Sequence, residues 1–127
     1  MHECIISLAA NYCAEKNLAE ARERLCQILF DTCYTKELWT EPEGHKALQS
    51  SEKLPLYLNQ LVKATTSLEL QQLQEALKNI EATMGRTLAD RNENRVRIDL
   101  DLLLFDNTRY HCDDWNRRYV QALIIDL

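Results

Sequence analysis

The sequence predicts an α+β domain. Three observations carry that reading: short apolar runs with strand-like alternation, two segments whose apolar residues recur every three or four positions, and only two glycines and two prolines to interrupt them. At 127 residues, 46% hydrophobic and 28% charged, the chain has the make-up of one globular domain over residues 1–127 rather than a disordered one.

Cys4–Leu8 reads as a short buried strand, followed by a polar break from Asn11 to Asn17. From Leu18, the residues Ala21, Leu25, Ile28 and Leu29 keep helical spacing, with Asn17 as N-cap and Glu20 three residues on, so a helix is expected over Leu18–Phe30. Thr32–Thr40 carries Cys33, Tyr34, Leu38 and Trp39 among β-branched threonines and reads as a strand that stops at Glu41-Pro42-Glu43-Gly44. His45–Lys53 reads as a polar loop.

Pro55 opens the next strand, in which Leu56, Leu58, Val62 and Ala64 face one way and Tyr57, Asn59 and Leu61 the other. Leu70, Leu73, Leu77, Ile80 and Met84 then mark a second helix, with Ser67 as its cap and Gly85 at its left-handed end. After a charged loop, Arg97–Phe105 alternates as a strand and ends in an Asp106-Asn107 turn. The tail from Asp113 to Leu127 reads as a helical turn and a last short strand. The order β-α-β-β-α-β is the split arrangement of a ferredoxin-like sandwich, an antiparallel sheet with its helices packed on one face.

Charge and cysteine content narrow the function. With 20 acidic against 15 basic side chains, the net charge of −5 excludes the electrostatic footprint of a nucleic-acid-binding module. Five cysteines, odd in number and without CxxC spacing, argue against a disulfide framework or a zinc site and for a reducing, cytoplasmic setting. The run Cys4–Ala10 is too short to span a membrane, and Glu3 stands where a signal peptide is basic.

The most telling pair is Asp99 and Asp101, two apart on a strand and so on one face, with Cα atoms roughly 6.6 Å apart. Such a pair reads either as a solvated sheet face or as the seat of a hard cation. The apolar run Leu100–Phe105 marks an interior strand, where unneutralised carboxylates are unfavourable, and magnesium suits two carboxylates completed by water and phosphate. Arg86, Arg91, Arg95 and Arg97 precede this strand, and Arg117 and Arg118 follow it. They read either as solvated loops or as bidentate phosphate contacts.

These residues resemble the 6-hydroxymethyl-7,8-dihydropterin pyrophosphokinase family. The resemblance runs through Ile80-Glu81, Gly85-Arg86 and the string Ile98-Asp99-Leu100-Asp101-Leu102-Leu103-Leu104-Phe105. It includes Leu56-Tyr57-Leu58-Asn59, the turn Trp39-Thr40-Glu41-Pro42-Glu43-Gly44, Ala9-Ala10-Asn11 and Asn116-Arg117-Arg118-Tyr119-Val120.

The resemblance implies a magnesium-dependent transfer of pyrophosphate from ATP to the pterin alcohol, releasing AMP, in folate biosynthesis. Two magnesium ions on Asp99 and Asp101 are then expected with ATP bound. It also implies a pterin pocket of Thr40, Pro42, Gly44, Tyr57, Asn59 and Tyr119, nucleotide contacts from Glu81, Arg86, His111 and Arg117, and catalytic arginines among Arg86, Arg95 and Arg97. The family's arginine just before the aspartate strand is Val96 here, flanked by Arg95 and Arg97, and a second arginine position is Leu88. These departures make a short, diverged member, with a pterin-binding homologue that has a degraded ATP site as the alternative.

Overall fold

A computed structural model gives the fold of residues 1–41, 56–85 and 87–127. Its elements run β1 (His2–Ala10), α1 (Ala14–Leu25), β2 (Phe30–Tyr34), β3 (Leu38–Thr40), β4 (Tyr57–Thr66) and α2 (Leu70–Met84), then α3 (Leu88–Asn92), β5 (Asp99–Phe105), β6 (Thr108–Arg109) and α4 (Arg118–Ile124). A single 3₁₀ turn occupies Asp114–Asn116. The strands make one antiparallel sheet in the order β2-β4-β1-β5-β6, with β3 also on β4. This is the ferredoxin-like α+β arrangement. The expected loop His45–Lys53 and the strand start at Pro55 lie outside the described residues.

β1 is apolar on both faces because both faces are covered. Cys4, Ile6, Leu8 and Ala10 join Leu58 and Val62 of β4 and Leu100 and Leu102 of β5 in a core closed by Leu18 and Leu25 of α1 and Leu73 and Leu77 of α2. On the other face Ile5, Leu61 and Leu103 lie against Tyr119, Val120 and Leu123. The last strand expected in the tail is therefore replaced by α4. Apolar residues at 119, 120 and 123, with 118, 121 and 122 exposed, make one helical face, whereas strand alternation would divide them between two faces.

β5 departs from simple alternation in a way that matters for the site. Its register against β1 shifts by one residue between Ile5↔Leu104 and Ile6↔Leu102, leaving Leu103 as the extra residue of a bulge. Strict alternation would put Phe105 on the face of Asp99 and Asp101. The bulge instead turns Leu103 and Leu104 toward α4 and returns Phe105 to the core beneath α1 and α2.

The first helix starts four residues earlier than its sequence cap suggests and ends five residues earlier. Its buried stripe is Ala14, Leu18, Ala21 and Leu25, so Asn17 lies inside the helix and donates its side-chain amide back to the Tyr12 carbonyl at 2.7 Å. Thr66 Oγ1 captures the Ile28 carbonyl and Thr65 Oγ1 that of Phe30, which draws the chain from Phe30 into β2. The single strand expected over Thr32–Thr40 is two strands. At buried Thr35 the hydroxyl takes the Leu61 N–H and breaks the ladder between them. Glu69, not Ser67, caps α2 through a reciprocal box with Gln72, and Gly85 ends that helix at φ +86°. The charged loop that follows contains α3, opened by a Thr87–Asp90 capping box.

If α4 closes the second face as described, truncating fully buried Leu123 costs about 2–5 kcal/mol. Urea unfolding of Leu123→Ala measures this. A loss under about 0.5 kcal/mol, as at a surface position, would remove α4 from the core.

Candidate active site

Register on β1 assembles the site. Ser7 pairs with Asp101 on one side and Leu61 on the other, and Ala9 pairs with Asp99 and Asn59. Asp99, Asp101 and Asn59 therefore share the α4 face, with small side chains on β1 between them. Two strand spacings, roughly 9–10 Å, separate Asn59 from Asp99.

A third carboxylate joins the two aspartates. Glu81, in the last turn of α2, accepts the Leu100 N–H at 2.8 Å between them. Burial, and then the neighbouring Asp99 and Asp101, push its carboxyl up to about 7, although the Leu100 N–H opposes the shift. Burial and the charge of Asp99 push Asp101 up to about 6. Glu81, which the family resemblance implies as a nucleotide contact, is one turn beyond buried Leu77 on the core-facing side of α2.

His111 and the pair Arg117 and Asp114 neighbour Asp101. His111 Nε2 lies 4.0 Å from Asp101 Oδ1, and its Nδ1 lies 4.0 Å from Asp114 Oδ2, both too long for hydrogen bonds. Arg117 Nε pairs with Asp114 Oδ1 at 3.1 Å. Tyr119 is buried in the second core, with its hydroxyl 3.4 Å from Ser7 Oγ, so its ring is packed beside the Asp101 row.

Across β1, Asn59 is 2% exposed and its Nδ2 donates to the Leu38 carbonyl at 3.1 Å and to Thr40 Oγ1 at 2.7 Å. Tyr57 is the β-ladder partner of Thr40. The structure thus brings Thr40, Tyr57 and Asn59 together, and the amide of Asn59 stitches β3 to β4. Pro42, Gly44 and Arg86 lie outside the described residues.

Arg95 and Arg97 do not turn toward the aspartate pair. Both converge on Asp90, which is fully buried. Arg97 Nε donates to Asp90 Oδ2 at 2.7 Å, while Arg95 Nε lies 2.8 Å from Oδ1 as an ion pair without hydrogen-bond alignment. Arg97, followed by the Thr87 N–H, holds the Asp90 carboxyl far below the usual carboxylate range. Both guanidinium groups also lie over the Tyr12 ring, at 4.9 and 5.0 Å from its centroid. Between them, Val96 is held at its backbone N–H by Asn11 Oδ1 and at its carbonyl by the Asn11 and Tyr12 N–H groups.

A cleft of about 720 Å³ opens where these parts meet, lined among the described residues by Tyr57, Lys78, Glu81, Arg91, Val96 and Asp99, with others. Lys78 has no counterpart among the residues singled out from sequence. Among the described residues no group of three or more His, Cys, Asp or Glu is arranged as a metal cage, and no helix is long and apolar enough to cross a membrane. Two carboxylates beside an open cleft fit a cation that takes its remaining ligands from water and phosphate.

The family model for 7,8-dihydro-6-hydroxymethylpterin-pyrophosphokinase matches residues 5–127. A mitochondrial folate synthesis bifunctional protein of Pisum sativum is 38% identical over an 81-residue alignment that covers 58% of this chain and 16% of that relative.

The elevated Asp101 carboxyl makes metal-free stability depend on pH. Between the ordinary 3.8 and about 6, the folded chain keeps a proton here that the unfolded chain has released, so this contribution is full at low pH and lost as pH rises through that window. Asp101→Asn removes the ionisation. In chelator-treated buffer its Tm should exceed that of the parent at pH 8 and match it at pH 4; an equal offset at both pH values would refute this electrostatic account.

Proposed function

The chain belongs to the 7,8-dihydro-6-hydroxymethylpterin-pyrophosphokinase family, and from that premise we propose that it transfers pyrophosphate from ATP to the hydroxymethyl oxygen of the pterin, releasing AMP. The observation that carries the reading is the in-register pair Asp99 and Asp101, gathered with Glu81 at a site next to a cleft. The Glu81 and Asp101 carboxyls, both raised first by burial and then by neighbouring carboxylates, suit a divalent cation beside them.

Asp99 and Asp101 would hold two magnesium ions with ATP. When bound, magnesium supplies Lewis acidity and neutralises phosphate charge. Glu81 fixes the strand between the two aspartates through the Leu100 N–H, which keeps both carboxylates aimed from one rigid edge. His111 and Arg117, near Asp101 and Asp114, are our candidates for phosphate contacts on that side, and Arg86 joins them by its place in the family pattern.

For the pterin, Tyr57 supplies an aromatic wall of the cleft, and Asn59, buried with its Nδ2 tied to β3, supplies a polar edge that cannot swing away. Thr40 adjoins it. Pro42, Gly44 and Tyr119 complete the proposed pocket by family pattern. For Arg95 and Arg97 the reading is indirect: they hold the connection before β5 by their grip on Asp90. Five free thiols support a reducing, cytoplasmic setting, although the pea relative is mitochondrial by name.

The test is AMP release from ATP by the purified protein with magnesium, with and without 6-hydroxymethyl-7,8-dihydropterin. Pterin-dependent AMP is expected, and Asp99→Ala or Asp101→Ala should lower the rate at least about a hundredfold while the protein stays folded. No turnover at saturating substrates, or an active aspartate variant, overturns the reading. Asn59→Ala should weaken pterin binding by calorimetry about tenfold and ATP binding much less.

A further inference from the structure

We propose that Lys78 of α2 and Arg91 of α3 are the cations that hold the polyphosphate of the nucleotide in this cleft. The inference rests on the transferase reading above and assigns it residues that the family resemblance does not supply.

The argument is one of charge and availability. The cleft contains the carboxylates Glu81 and Asp99, so a bare anion entering it meets repulsion. A polyphosphate that carries a divalent cation meets the opposite condition: its metal faces the carboxylates and its outer oxygens need positive partners. The two arginines nearest to Asp99 in sequence, Arg95 and Arg97, are committed elsewhere, bound to Asp90 and stacked on Tyr12. Val96, whose position in the chain lies between them, presents an apolar side chain to the cleft.

Lys78 and Arg91 are the cationic side chains among the described lining residues. Both are exposed, and neither forms an ion pair with a described residue. They come from different elements, so the pair differs in kind as well as origin: Arg91 offers a planar fork for two oxygens, and Lys78 a mobile point charge. A cleft of about 720 Å³ has the volume for a ligand of nucleotide size.

The test uses inorganic tripolyphosphate with magnesium as probe, measured by calorimetry, beside the AMP-release assay. Arg91→Gln and Lys78→Gln should each weaken tripolyphosphate binding about tenfold and raise the KM for ATP by a similar factor. Lys16→Gln, which removes the same charge from the outer side of α1, should change neither, and all three variants should keep the parental Tm. Parental affinity in both cleft variants, an equal loss in Lys16→Gln, or no tripolyphosphate binding by the parent overturns the inference. If the parent makes no AMP yet binds tripolyphosphate in a manner that needs Arg91 and Lys78, the cation assignment stands and the transferase reading falls. If AMP release is intact and the KM for ATP is unmoved in both variants, the reverse holds.

Discussion

The site depends on the double pairing of β1. This strand is held by β4 along one edge and β5 along the other, and it is buried on both faces, so its register cannot slip without turning a whole apolar set outward. That constraint sets Ser7 between Asp101 and Leu61, and Ala9 between Asp99 and Asn59. Small side chains in the middle strand leave the carboxylates and the amide facing a shared space. A larger residue at either position would fill the very face on which the site is built.

The two faces of the sheet divide the work. The face beneath α1 and α2 is packing throughout, and it anchors α2 so that Glu81 reaches the Leu100 N–H on the edge of β5 that β1 does not use. The other face is mixed. α4 covers Ile5, Leu61 and Leu103, while Asp99 remains exposed at the cleft. The bulge at Leu103 makes this division possible: it lets β5 send two consecutive leucines toward α4 and still return Phe105 to the first core. Carboxylates and apolar packing thus sit on one strand and one face, separated along its length.

What the sequence made legible follows from where a single physical signal dominates. β1, β4 and α2 stand out because burial imposes an unbroken period on them, and Asp99 and Asp101 stand out because polar residues interrupt such a run. Elsewhere two signals compete. Asn17 and Glu20 spell a helix start, but the apolar stripe from Ala14 overrides the cap. Thr35 has strand propensity, yet its hydroxyl replaces a ladder hydrogen bond and divides the strand. The tail has too few residues for its helical period to be distinguished from a strand before the exposed face of the sheet is known. The commitment of Arg95 and Arg97 to Asp90 is tertiary, and no spacing reveals it.

Asp90 explains how an acidic protein can present to a cleft an arginine that pairs with no carboxylate among the described residues. α3 has five residues, too few for a helix to persist by itself, and its stability comes from the Thr87 box together with the two guanidinium groups that close over Asp90. A buried carboxylate with those partners is satisfied on both oxygens, so the knot fixes the backbone of the helix as well as neutralising the charge. The residue after Asp90 is turned about 100° around the helix axis, which carries Arg91 from the buried side to the cleft lining. Asn11 holds the following Asn94–Val96 segment to the end of β1. Two arginines to which the family resemblance gives a catalytic role therefore hold α3 to the connection before β5, and the position of Arg91, which the sequence groups with them, follows from how firmly they hold.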